Sequence, residues 1–129
     1  MAFQFQKAMD IEQFTIYCLQ KEDVVESFPF DDVTLCFKVR GKIFALTGLD
    51  SEEFQVNLKC DPDYALELRE QYEEVRPGYH MNKKHWNTVS FSGSLSDGLL
   101  RQLIDHSYEL VAKGAKKGLN PNKNRVVDS

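Results

Sequence analysis

The chain has 129 residues, 42% of them hydrophobic and 28% charged, which is typical of one soluble globular domain and excludes two independent cores or a disordered protein. No apolar run approaches the roughly 20 residues that a membrane-spanning helix needs, and the first residues lack a basic region followed by an apolar core, so we expect a cytoplasmic protein. The formal net charge of -4 argues against bulk attraction to nucleic acid or anionic lipid, and three widely separated cysteines argue against a disulfide framework.

The first predicted element is a helix from about Ile11 to Gln20. Asp10 can cap its N-terminus, and Gln13 stands three residues later at the capping-box position. Phe14 and Cys18 recur at helical spacing and mark the buried face.

Three strands are predicted next. Apolar and polar residues alternate over Val33 to Val39 and over Phe54 to Cys60, and Ile43 to Thr47 returns as the second strand of a hairpin. Gly41 supplies the positive φ for a tight turn between the first two. Asp61 and Pro62 then form a strong helix start, since aspartate accepts bonds from free amides and proline suits the first helical position.

The second half of the chain predicts a helix over about Pro62 to Tyr72, short strands over Tyr79 to Met81 and Asn87 to Phe91, and a helix ending near Lys113. We expect one domain over residues 1–117, followed by a flexible basic tail over residues 118–129. The element order is therefore α-β-β-β-α-β-β-α. An antiparallel sheet with helices on one face, an α+β two-layer sandwich, buries these apolar stripes most simply.

Charge is strongly segregated along the chain. Residues 21–32 and 61–74 are crowded with Asp and Glu, whereas residues 76–87 contain Arg76, Lys83 and Lys84 and no acid. The run also holds the only tryptophan and two histidines. Such a run can hold an anion, because lysines neutralise phosphates, asparagines bond phosphate oxygens and aromatic rings stack on unpaired bases. The candidate binding residues are Arg76, Tyr79, His80, Asn82, Lys83, Lys84, His85, Trp86 and Asn87, with Lys59 if the third strand lies alongside.

A structural interpretation of the same run stays open. Tyr79, Met81 and Trp86 could point inward, the asparagines could close a turn, and the lysines could simply be solvated. About four phosphate contacts would give a log-log salt slope of roughly -4 and dissociation constants on the order of 10⁻⁴ to 10⁻⁶ M. The sequence therefore predicts weak, largely sequence-independent binding.

Other classes of function have less support. No nucleophile elbow, phosphate-cradling glycine loop or metal-ligand spacing is present, so we expect no enzymatic activity, no cofactor and no metal site. A protein-interaction module or a small-anion site remains an alternative. Pairing the basic run of one copy with the acidic helix of another would give a homo-oligomer.

Five motifs together resemble the MmcQ/YjbR family of small bacterial proteins, in the same order and over about residues 11–117. They are Phe28-Pro29-Phe30, Phe37-Lys38-Val39, Asn57-Leu58-Lys59-Cys60-Asp61-Pro62, the run from Arg76 to Val89, and Leu103-Ile104-Asp105-His106-Ser107-Tyr108. The resemblance implies a compact α+β fold and a DNA-binding role, described for a relative as a double-wing arrangement.

Overall fold

A computed structural model describes residues 9–79 and 81–119. The helices are α1 (Ile11–Leu19), α2 (Pro62–Gln71) and α3 (Asp97–Leu119), and the strands are β1 (Val24–Ser27), β2 (Thr34–Val39), β3 (Lys42–Gly48), β4 (Gln55–Lys59), β5 (Val75–Pro77) and β6 (Trp86–Ser90). The predicted starts of α1 and α2 are confirmed. Asp10 and Gln13 form a capping box, and the side chain of Asp61 accepts from the Tyr64 amide.

The six strands form one antiparallel sheet in the order β1-β2-β3-β4-β6-β5. Directly opposite residues share a face of the sheet. One such row, which we call the central row, crosses every strand and consists of Ser27, Cys36, Leu46, Asn57, Thr88 and Arg76.

All three helices pack on the other face of the sheet. The core combines residues of the helices, such as Phe14, Leu68 and Ile104, with inward residues of the strands, such as Phe37 and Val89. Phe14 lies edge-on to Phe37, with ring centroids 5.3 Å apart. The predicted two-layer sandwich is thus confirmed, and the central row belongs to the face opposite the helices.

Three element predictions need correction. Strand β1 was not predicted, because four residues carry no readable period and its place depends on pairing with β2. The first strand of the last hairpin is Val75–Pro77, not Tyr79 to Met81, since a proline is tolerated on an edge strand. The last helix continues past Lys113 to Leu119, with Ala115 buried. The tail expected from residue 118 is helical at its first two positions and otherwise lies outside the described residues.

Four consecutive residues of α3, Asp105 to Tyr108, bond four different parts of the fold, and we call them the α3 clasp. The Asp105 carboxylate accepts from the Tyr17 hydroxyl and from the Lys21 ammonium, both at 2.6 Å. His106 accepts through Nε2 from the Asp61 amide at 3.1 Å, at the start of α2.

The remaining two members of the clasp reach the sheet and the turn before β1. The buried Ser107 hydroxyl donates to the Phe44 carbonyl at 2.5 Å and accepts from the Lys59 amide at 2.9 Å. The Tyr108 hydroxyl donates to the Glu22 carbonyl at 2.7 Å. The clasp therefore holds α1, α2 and the sheet to one helix.

The three cysteines are buried and free. Burial raises the pKa of the Cys18 and Cys60 thiols to about 12. Within residues 9–79 and 81–119, no helix is both long enough and apolar enough to span a membrane.

Candidate functional site

The segment 78–85 connects β5 to β6, and we call it the basic turn. Its backbone closes on itself through the Asn82 carbonyl, which accepts from the His85 amide at 3.1 Å and from the Trp86 amide at 2.9 Å. The Asn82 side chain accepts from the Lys84 amide at 2.9 Å. Asn82 therefore closes the turn, as one of the two interpretations of the sequence anticipated.

Gly78 allows the hairpin to close tightly. Its amide donates to the Trp86 carbonyl at 2.8 Å, and a Cβ placed on Gly78 would lie 3.0 Å from both the Cβ and the carbonyl oxygen of Trp86. Any larger residue would push the two strands apart at the base of the basic turn.

Arg69 of α2 fastens the basic turn from the helix side, and we call it the Arg69 latch. Its guanidinium donates to the Asn87 side-chain oxygen at 2.8 Å, the Lys83 carbonyl at 2.6 Å and the Trp86 carbonyl at 3.3 Å. A planar guanidinium presents its donors in a fixed fork, so these bonds orient the turn as well as hold it. The shape of the basic turn is therefore imposed by an element outside it.

Within residues 9–79 and 81–119, the lysines at the tip have no carboxylate partner. Lys83 and Lys84 are exposed, and the Lys83 ammonium lies 5.7 Å from the centroid of the Tyr79 ring, which is itself 69% exposed. The ion pairs among the described residues are Lys21–Asp105, Arg40–Asp23 and Arg101–Asp97. The acidic residues of α2 therefore do not neutralise the cations of the basic turn.

Lys59 and Arg76 lie on the open face of the sheet beside the basic turn. Lys59 is directly opposite Trp86, and Arg76 is opposite Thr88 in the central row. The Cys60 amide donates to the His85 carbonyl at 2.8 Å, which joins the end of β4 to the turn. The predicted neighbourhood of the third strand and the basic run is therefore present in the structure.

Two predicted residues are less accessible than the others. Asn87 is 2% exposed and its side chain is bonded to Arg69, and Trp86 is 9% exposed. We therefore leave Asn87 out of the binding surface and treat Trp86 as a wall of it. His85 is partly buried, and His80 lies outside the described residues.

The two ends of the sheet differ in charge. The β2–β3 turn and the basic turn lie at one end, since β2, β4 and β5 run in the same direction. This turn end carries Lys42, Lys59, Lys83 and Lys84 together with the acids Glu22 and Asp61, while Arg40 there is paired with Asp23 at 3.1 Å. The connections at the opposite end, residues 28–33, 49–54 and 91–96, contain five acidic residues and no cation; these acids are Asp31, Asp32, Asp50, Glu52 and Glu53.

Sequence reasoning missed two residues that shape this site. Arg69 carried a signal, because it is the only cation among six acids in residues 61–74, but nothing in the sequence named the carbonyls it would bond. Gly78 has no signal of its own in the sequence beyond being a glycine after a proline. Its close contact with Trp86 depends on the register of β5 and β6.

Comparison with known proteins gives a consistent set of relatives. A family model described as YjbR matches residues 19–110. The uncharacterized protein YjbR of Escherichia coli K12 is 37% identical over 101 residues, covering 78% of this chain and 86% of its own length. The uncharacterized protein YbdF of Escherichia coli O157:H7 is 44% identical over 91 residues, covering 70% of this chain and 74% of its own length.

Solved structures show the same fold. The crystal structure of Deinococcus radiodurans protein DR2400 superposes with a TM-score of 0.79 at 35% identity, covering 95% of this chain and 90% of that one. A Pseudomonas syringae protein superposes with a TM-score of 0.68 at 28% identity, covering 80% of this chain and 99% of that one.

Proposed function

The chain belongs to the YjbR family, as its motifs predicted, and we propose that it binds DNA weakly and without strong sequence preference through the basic turn. The contact is made to phosphates by Lys83 and Lys84 at the tip. Arg76 and Lys59 extend it along the open face of the sheet. The proposal is one of binding and not of catalysis.

A single observation carries this proposal: the cations at the tip are exposed and without a carboxylate partner among the described residues, and the backbone that bears them is hydrogen-bonded to Arg69 and Asn82. A solvated lysine on a mobile loop loses side-chain and backbone entropy when it binds. Here the Arg69 latch and the Asn82 side chain hold the backbone at Lys83 and Lys84, which lowers the entropic cost of binding a phosphate there.

The remaining groups at the tip suit a nucleic acid better than a bare anion. Tyr79 presents an exposed ring beside the Lys83 ammonium, which can stack on an unpaired base or lie against a sugar. Asn57 and Thr88, bonded to each other at 2.6 Å in the central row, add polar groups on the open face. The surface thus combines a cationic tip with the polar side chains of Asn57 and Thr88 on the adjoining strands.

The number of contacts limits the affinity. Lys83, Lys84, Arg76 and Lys59 together give about four phosphate contacts and a log-log salt slope of roughly -4. The acids at the opposite end of the sheet repel the duplex if it extends that far. We therefore expect an orientation in which DNA crosses the turn end alone.

The test is fluorescence anisotropy with a labelled duplex and the matching single strand at two salt concentrations. Changing Lys83 and Lys84 together to Ala should reduce affinity and make the salt slope shallower by about 2, since each lost contact contributes roughly 0.9. The control variant, Arg101→Ala with Lys113→Ala, also removes two positive charges, but from α3. Its affinity for DNA should stay within about twofold of that of the unmodified chain.

Each outcome decides a different part of the proposal. Absence of binding at low salt would overturn the DNA-binding function. Binding that the Lys83 and Lys84 changes leave unaltered would overturn the assigned surface. Salt-sensitive dimerisation in sedimentation, without DNA binding, would instead support a self-association module.

A further inference from the structure

A groove lies at the acidic end of the sheet, opposite the basic turn, and we call it the acidic-end groove. It is formed by the start of α1, the β3–β4 connection and the segment after β6, and its volume is about 690 Å³. That volume lies within the roughly 300–1,000 Å³ typical of pockets that bind small molecules. Neither the proposed DNA contact nor the α3 clasp uses it.

The floor of the groove is apolar and rigid. Ile11, Leu49, Phe54 and Phe91 line it. The rings of Phe54 and Phe91 have centroids 5.2 Å apart, and Phe14 packs behind them with centroids 5.7 and 5.6 Å away. Leu49 is 47% exposed, so part of this apolar surface faces solvent. A ligand that buries an apolar body here would gain from the hydrophobic effect without reordering the floor.

The rim of the groove is acidic. Asp10 and Glu52 are the charged residues of its lining, and no Lys, Arg or His in the described part of the chain lines it. Neither carboxylate takes part in an ion pair among those residues. Oδ1 of Asp10 accepts from the Gln13 amide, so this carboxylate also caps the N-terminus of α1.

The neighbouring charges reinforce the same sign. The β3–β4 connection adds Asp50 and Glu53, and Glu74 lies beside Gly93 of the lining. The Ser94 hydroxyl donates to Glu74 and lowers the pKa of that carboxyl, so it stays ionised near neutral pH. Among the described residues, the charges around the groove would repel an anionic ligand.

We propose that the acidic-end groove binds a small ligand that joins an apolar, aromatic-sized body to one positively charged nitrogen. The apolar body lies on Leu49 and the partly exposed Phe54, since Phe91 behind them is only 1% exposed. The cationic nitrogen lies at the rim, near Glu52 and Asp10. A purely polar cation would leave the floor unused, and an aromatic carboxylate would be repelled.

The test titrates full-length, ¹⁵N-labelled protein with two probes that share one ring system and differ in charge, 2-naphthylmethylammonium and 2-naphthoate. We expect saturable amide shifts at Ile11, Leu49 and Gly93 with the ammonium probe, and at least about fivefold weaker binding of the carboxylate. Glu52→Lys should weaken binding of the ammonium probe by about two- to fivefold, as expected for an exposed charge pair. The same spectra show whether the variant is folded, and Glu52→Gln serves as the milder variant.

Three results would overturn the proposal. One is the absence of saturable shifts at the groove up to millimolar probe, and another is equal affinity for both charges. The third uses the full-length variant with Phe3 and Phe5 changed to Ala. If the ammonium probe binds that variant but not the unmodified chain, the groove is a docking site for the chain's own N-terminal residues and not for a ligand.

Discussion

The α3 clasp and the basic turn are both short polar runs in a mostly apolar setting, yet the structure uses them in opposite ways. Every side chain of the clasp, Asp105 to Tyr108, ends on a partner in another element. In the basic turn it is the backbone that is bonded, and the charged heads of Lys83 and Lys84 are exposed.

This difference separates a motif that stabilises the fold from a motif whose charged side chains are exposed and can bind a partner. A polar side chain that satisfies a buried partner stabilises the fold, and removing it leaves that partner unpaired. A charged side chain on a rigid, outward-facing turn contributes little to stability and is free to bind something else. Substitutions in the α3 clasp should therefore lower the free energy of unfolding, and substitutions of the exposed lysines in the basic turn should leave it nearly unchanged.

Ser107→Ala should be the most damaging single change in the clasp. The hydroxyl satisfies both the Phe44 carbonyl and the Lys59 amide, and the residue is fully buried. Its loss leaves two backbone groups unpaired, so we expect the free energy of unfolding to fall by about 2–3 kcal/mol. Urea unfolding followed by circular dichroism measures it. Ser92→Ala, at an exposed position, is the control, and a loss below about 1 kcal/mol for Ser107→Ala would show that the clasp does not hold the layers together.

Arg69→Ala should have the next largest effect, because it links the two regions of the comparison. Removing the guanidinium leaves the buried Asn87 side chain without its donor, so we expect about 1–2 kcal/mol of destabilisation. The fluorescence of Trp86, the only tryptophan, should change as well, since its carbonyl and its strand lose the latch.

Arg69→Lys distinguishes geometry from charge at the same position. A lysine keeps the positive charge but cannot form the fork, so it should shift the Trp86 emission nearly as far as alanine does. Arg76→Ala, at an exposed position in the adjoining strand, is the control. If Arg69→Lys behaves like the unmodified chain, the latch acts through charge alone.

Alkaline pH should weaken the clasp through Tyr17. Burial, and then the hydrogen bond to Asp105, raise the pKa of Tyr17 from 10.0 to about 12. A raised pKa means that the protonated phenol stabilises the folded state below pH 10, and that this stabilisation is lost as the pH rises from 10 to about 12.

The measurement is the free energy of unfolding between about pH 8 and pH 11. The Cys18 and Cys60 thiols, whose pKa burial raises to about 12, lose stabilisation over part of the same range. The contribution of Tyr17 is therefore the difference in slope between the unmodified chain and Tyr17→Phe. Equal slopes would contradict a role of the Tyr17–Asp105 bond in alkaline unfolding.

The sequence was sufficient for the elements that carry their own signals. Asp10 with Gln13, and Asp61 with Pro62, marked helix starts that the structure contains. Alternating apolar residues located β2 and β4, and the turn at Gly41 located β3 as the return strand of a hairpin. Strands β1 and β5 have four and three residues and exist because a neighbouring strand pairs with them, so no local pattern could reveal them.

The candidate site was predictable as a region but not atom by atom. Asn82 and Asn87 are the same residue type five positions apart, yet one is exposed at the tip and the other is 2% exposed against Arg69. Strand register decides which of the two asparagines is buried, because Asn87 is opposite Leu58 on the helix side of the sheet. The contacts of Ser107 could not be predicted from the sequence either, since its two backbone partners lie 48 and 63 residues away along the chain.

The smallest effect on stability should come from the change that matters most for the proposed function. Lys83→Ala with Lys84→Ala removes two exposed ammonium groups that have no ion-pair partner among the described residues, so the free energy of unfolding should stay within about 0.5 kcal/mol of the unmodified chain. Removing two adjacent like charges even relieves repulsion at the turn end. Urea unfolding of this variant beside Ser107→Ala measures the contrast directly. A decrease of more than about 1 kcal/mol in the free energy of unfolding would mean that the lysines stabilise the turn. The contrast between the hydrogen-bonded clasp and the exposed lysines would then be wrong.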